Sequence, residues 1–106
     1  MPKYLIKANY TLEGLKGVRA KGAKSRADVV GNMVNGMGGT VESFYFAFGD
    51  ADAYLIASLP GNVEASAISL AVGASGAASV KTVVLLTADE VDAATHVDVK
   101  YRAPGA

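Results

Sequence analysis

A chain of 106 residues, 51% apolar and 19% charged, suits one folded domain with room for a single core and is too apolar to be disordered. Ten basic and ten acidic side chains leave no net charge, which argues against nucleic acid as a partner, and the absence of cysteine removes a disulfide frame and any thiolate metal site. No apolar run approaches the roughly 20 residues of a membrane-spanning helix, and Met1-Pro2-Lys3 opens straight into a strand pattern, so no membrane partner is expected and the expected location is the cytoplasm.

Lys3 to Tyr10 is predicted as the first strand: Tyr4, Ile6, Ala8 and Tyr10 share one face, and Lys3, Leu5, Lys7 and Asn9 the other. Thr11 caps a helix in which Leu12, Leu15 and Val18 recur at helical spacing and Lys16 and Arg19 turn away. A second helix start lies at Ser25-Arg26-Ala27-Asp28, which resembles a capping box. Val29, Val30, Met33, Val34 and Met37 form its apolar stripe, and Gly38-Gly39 ends it. The result is one bent helix or two short ones.

The centre of the predicted sheet is a hairpin. Phe44, Phe46 and Phe48 alternate with Ser43, Tyr45 and Ala47, as a strand with two different faces would have them. Gly49, Asp50 and Asp52 are turn residues, with Gly49 expected to take the positive φ. Ala53 to Leu59 is apolar on both faces and stops at Pro60-Gly61. Asn62 is then expected to cap a helix to about Val72, rich in small residues such as Ala65, Ser66, Ala67 and Ser69. Ala78 to Leu86 is the fourth strand, and Thr87-Ala88-Asp89-Glu90 is a capping box that opens a short last helix. In the tail, Val97, Val99 and Tyr101 alternate with polar residues, as an edge strand or an arm on a neighbouring molecule would.

The expected fold is therefore α+β: a ferredoxin-like βαββαβ antiparallel sheet with an extra C-terminal helix, spanning residues 1–95 and followed by an extended tail at 96–106. Two helices cover only one face of such a sheet. Both faces being apolar, the economical arrangement is a homodimer packed sheet to sheet, a dimeric α/β barrel, alone or within a larger homo-oligomer. Charge is divided in a way that suits this. Residues 1–26 hold Lys3, Lys7, Lys16, Arg19, Lys21, Lys24 and Arg26 against Glu13 alone, so the remainder carries the balancing acid. A solvated helix face followed by an acidic C-terminal helix gives the same division without assembly.

Met1 to Thr11, Gly39 to Asp52, Ser69 to Gly76 and Leu85 to Val91 together resemble the GYD domain family of small bacterial and archaeal proteins. The resemblance implies a ferredoxin-like fold of the dimeric α/β-barrel type and brings no reaction with it. It keeps Gly49 and Asp52, but the tyrosine it implies before the aspartate is Ala51.

Candidate chemistry is sparse. Asp50 and Asp52 pair two carboxylates at a turn, where they can bind a cation but more commonly just form the turn. His96 is the one histidine, too few for a usual metal site within one chain, so neither metal nor cofactor is expected. Gly22-Ala23-Lys24-Ser25-Arg26 lacks the spacing of a phosphate loop but is a basic turn at a helix start, where an anion is welcome. No serine sits in a nucleophile elbow, and Asn9-Tyr10-Thr11 is a glycosylation triplet only in form. Lys7, Asn9, Tyr10, Tyr45 and Tyr54 are polar or amphipathic groups on strands, suited to lining a pocket between sheet and helices or a dimer interface. The expected ligand-binding set is Lys7, Asn9, Tyr10, Arg26, Tyr45, Asp50, Asp52 and Tyr54.

Three functions compete. One is a non-enzymatic small-molecule-binding or assembly module acting as a homo-oligomer. Another is a small cofactor-free enzyme of monooxygenase or isomerase type, which requires a closed polar pocket holding Lys7, Tyr45, Tyr54 or Asp52. The third is a structural oligomer in which the small-residue helix and the tail join dimers.

Overall fold

Residues 1–106 are described by a computed structural model. In chain order it has β1 (Lys3–Tyr10), α1 (Leu12–Lys21), α2 (Ala23–Gly36), β2 (Thr40–Phe46), β3 (Ala53–Ser58), α3 (Asn62–Ala74), β4 (Ala78–Leu85) and α4 (Ala88–Ala94). The four strands form an open antiparallel sheet in the order β2-β3-β1-β4.

Alternation along β1 and β3 divides the sheet into two unlike faces. Tyr4, Ile6, Leu55 and Ala57 point to one side, where Val30 and Val34 of α2 and Ala65 and Ile68 of α3 close over them. Each large apolar side chain buried there contributes about 1.5–3 kcal/mol. Tyr4 is the largest of the fully buried side chains, and its hydroxyl donates to Asn62 Oδ1 at 2.7 Å. α3 owes its close seat on β4 to small residues: Ala65 is buried, and the Ser69 and Thr82 hydroxyls meet at 3.1 Å.

The joint between α1 and α2 differs from the expected serine start. Gly22, at φ 94°, ends α1 and begins α2, and no side chain caps the second helix. The reversal needs a left-handed backbone, which glycine alone adopts without cost, so the helix begins there and Ser25 falls inside its first turn. Asn62 is likewise not a cap; α3 begins at Gly61, and the Asn62 side chain is taken by Tyr4. The apolar stripe expected on α1 is exposed at Leu12 and Leu15. What α1 buries instead is Gly14, whose missing side chain leaves space for the Ala77 carbonyl; a Cβ there would lie 1.9 Å from that oxygen.

In the β2–β3 turn the positive φ belongs to Phe48 (57°), not to Gly49. Phe48 stacks on Phe46 at 6.1 Å while its backbone sits in a region that an aromatic residue ordinarily avoids. A bulge between Val41 and Ser43 interrupts the ladder of β2.

The Thr87–Glu90 capping box is present in full. The Thr87 backbone amide and hydroxyl both donate to Glu90 and hold its carboxyl below the ordinary value of 4.5. A depressed carboxylate stabilises the folded helix above its unfolded value, and the effect is lost as pH falls through the lowered one. Below pH 4.5 the amide resonances of Ala88–Ala94 should therefore move toward coil values, while Thr87→Ala should show the coil shifts already at neutral pH.

Candidate functional site

The eight residues singled out from sequence fall into three places. Tyr10 and Arg26 come together in a cleft of about 420 Å³ between α1 and α2. Gly22 folds α2 back beside α1, and Gly14 brings α1 down onto Ala77, so the two helices make walls over the end of β1. The Arg26 guanidinium lies 6.0 Å from the centre of the Tyr10 ring, at the limit of a cation–π contact. Its Nε is buried and has no hydrogen-bond partner. A buried donor without an acceptor costs about 1–3 kcal/mol, so it marks a place where an acceptor is wanted. Lys21 and Ser25 line the same cleft, Glu13 is its one acid, and Val18 and Val29 supply apolar wall.

Lys7, Asn9, Tyr45 and Tyr54 lie on the opposite face of the sheet, which no helix covers. Strand register sets Tyr45, Tyr54, Lys7 and Lys81 in one row across all four strands. Lys7 and Lys81 are therefore like charges at directly opposed positions, which is unfavourable within the sheet. Leu5, Ile56 and Val83 form the next row and give this face an apolar centre. Tyr45 is 71% exposed, and Lys3 is paired with Glu42.

Asp52 is a structural tie: its Oδ2 accepts the Tyr10 amide at 2.9 Å, and its own amide donates to the Ala8 carbonyl at 2.9 Å. These bonds hold the hairpin turn against the end of β1. Asp50 is exposed beside it, and Ala51 is buried. His96 lies in the exposed tail, and no three metal-binding side chains come together.

No closed polar pocket lies between sheet and helices. The interior space there is about 30 Å³, walled by Ile6, Val30, Met33, Leu55, Ile68 and similar apolar groups, with Arg26 its one charged neighbour. Sequence reasoning missed Gly14, Lys21 and Lys81. Alternation in β4 would have put Lys81 on the face of Val83, but only strand register sets it opposite Lys7. A glycine inside the first helix was the available signal for the close approach at Ala77.

No curated protein and no solved structure matches the chain. The family model described as the GYD domain matches residues 4–95, and the chain accordingly belongs to the GYD domain family.

Proposed function

We propose that the protein is a non-enzymatic, homo-oligomeric module that holds a small organic anion in the α1–α2 cleft. The observation that carries this is that Arg26, whose buried Nε lacks a hydrogen-bond partner, lines a cleft together with a second cation, Lys21, and the Tyr10 ring. A carboxylate or phosphate ester fits it, the anion accepting from Arg26 and the apolar body lying against Tyr10, Val18 and Val29.

The test is a thermal-shift panel of aromatic and aliphatic carboxylates and phosphate monoesters, with native mass spectrometry of the purified protein for retained ligand. A ligand present at about one hundred times its Kd should stabilise the fold by about 2.7 kcal/mol. Arg26→Gln should abolish that shift while leaving the melting temperature without ligand unchanged or slightly raised, since the mutation removes an unsatisfied buried donor. A panel with no hit, or an equal shift for Arg26→Gln, rejects the cleft as the site.

The finer fold and the assembly are part of the same reading. The order β2-β3-β1-β4, with helices connecting β1 to β2 and β3 to β4, supports a ferredoxin-like class. The uncovered apolar row Leu5, Ile56 and Val83 supports two copies meeting face to face as a dimeric barrel. The enzymatic alternative needs Lys7, Tyr45 and Tyr54 in an enclosed pocket; their place on the open face favours the binding reading.

A further inference from the structure

Two spaces in the molecule share a wall. The cleft of about 420 Å³ lies outside, between α1 and α2, and the gap of about 30 Å³ lies inside, between the sheet and the helices. Tyr10 and Arg26 are the two residues that line both. They form a loose seam. The guanidinium lies 6.0 Å from the centre of the ring, at the far limit of a cation–π contact, and no carboxylate of the chain pairs with Arg26. Its Nε is shut away from water without an acceptor.

The gap suits carbon rather than water. Apart from Tyr10 and Arg26 its walls are apolar, and a buried water wants about two to four polar partners. A single water occupies about 10–15 Å³ of such space, so the gap takes roughly one or two groups of that size. Met33, Phe44, Val72 and Val80 bound it, and all four are half-buried. An apolar tip placed there is enclosed by hydrocarbon on every side but the seam.

We propose that the ligand of the cleft is an anion with a narrow, unbranched apolar end, such as a straight-chain carboxylate, and that this end passes between Tyr10 and Arg26 into the interior gap. The carboxylate stays in the cleft and accepts from Arg26. Because Nε is buried, the guanidinium turns toward the cleft to donate, and the turn opens the seam for the chain. Binding then satisfies the orphaned donor and fills the gap together. The inference rests on the cleft reading above and adds the shape of the ligand: charge admits it, and the width of its far end selects it.

The test is a chemical-shift titration of the full chain with straight-chain carboxylates from acetate to octanoate, and with hexanoate against its blunt-ended isomer 3,3-dimethylbutyrate. Affinity should rise by about fourfold for each carbon that becomes buried, and level off once the gap is full. Hexanoate should bind at least about tenfold more tightly than the isomer, which has the same charge and the same number of carbons. Val72→Phe, which fills the gap from α3, should flatten the rise and leave acetate binding unchanged, and Val80→Ala should carry the rise one or two carbons further. Equal affinity for the two isomers, or a length profile that neither variant moves, overturns the narrow entry; the cleft still stands if Arg26→Gln abolishes acetate binding. A protein that binds no carboxylate of the series overturns this inference, and one that also ignores phosphate esters overturns the cleft with it. Should Val72→Phe fail to fold by circular dichroism, the isomer pair and Val80→Ala decide the matter.

Discussion

Gly39→Ala is expected to lower the melting temperature by about 10 °C or more, on a loss of about 2–3 kcal/mol and roughly 4–8 °C per kcal/mol for a domain of this size. A Cβ at this position would lie 2.2 Å from the Ser58 carbonyl oxygen, 2.8 Å from Leu59 Cδ2 and 3.2 Å from Val34 Cγ1. Leu59 and Val34 are both fully buried, so neither has room to give. The Gly39 amide also donates to the Val34 carbonyl at 3.0 Å, and a backbone shift that relieved the clash would loosen that bond. Thermal melting followed by circular dichroism measures the loss. Gly17→Ala is the control, since a Cβ there meets nothing within 4 Å; it should stabilise slightly through better helix propensity.

Tyr4→Ala should be more damaging, at about 3–5 kcal/mol, the cost of deleting a large aromatic side chain from a core that cannot fully collapse around the space. Tyr4 is 1% exposed and lies between Ile6, Ala57 and the first turn of α3. Tyr4→Phe separates packing from the hydroxyl. It removes only the donor to Asn62, an exposed residue whose oxygen can turn to water, so the change should stay within about 1 kcal/mol. Urea unfolding of the three proteins tests the pair, with the midpoint falling and the slope unchanged if the folded and unfolded ensembles keep their compactness.

The strands were legible because their signal is periodic and local. Tyr4, Ile6 and Ala8 alternate with Lys3, Leu5 and Lys7, and the burial follows that alternation residue by residue. The last capping box was legible for the same reason, since Thr87 and Glu90 satisfy each other without outside help. Thr11 was likewise legible as the cap of α1, its hydroxyl accepting the Gly14 amide, whereas the starts of α2 and α3 were not. Ser25 and Asn62 are good capping residues, but α2 starts after the positive-φ turn at Gly22, and α3 starts after Gly61 with the Asn62 side chain taken by Tyr4. The left-handed position fell to Phe48, which stacks on Phe46, and not to Gly49. Of the candidate site, Tyr10 and Arg26 meet, whereas Lys7, Asn9, Tyr45 and Tyr54 lie on the other side of the sheet. Residue type could nominate all six, but only the alternation of faces and the strand register separate them.

The bulge between Val41 and Ser43 bears on whether the outer strands can add a further chain. Both outer strands, β2 and β4, carry a side with no neighbour, and an unblocked side of that kind recruits further chains end on end into filaments. In β2 the extra residue throws the row of amides and carbonyls out of step, so an incoming strand could match only a few before losing alignment. Lys81 sits within β4 and charges the other margin. Growth by strand addition is thereby discouraged on both sides, as the face-to-face pairing proposed above requires of its margins.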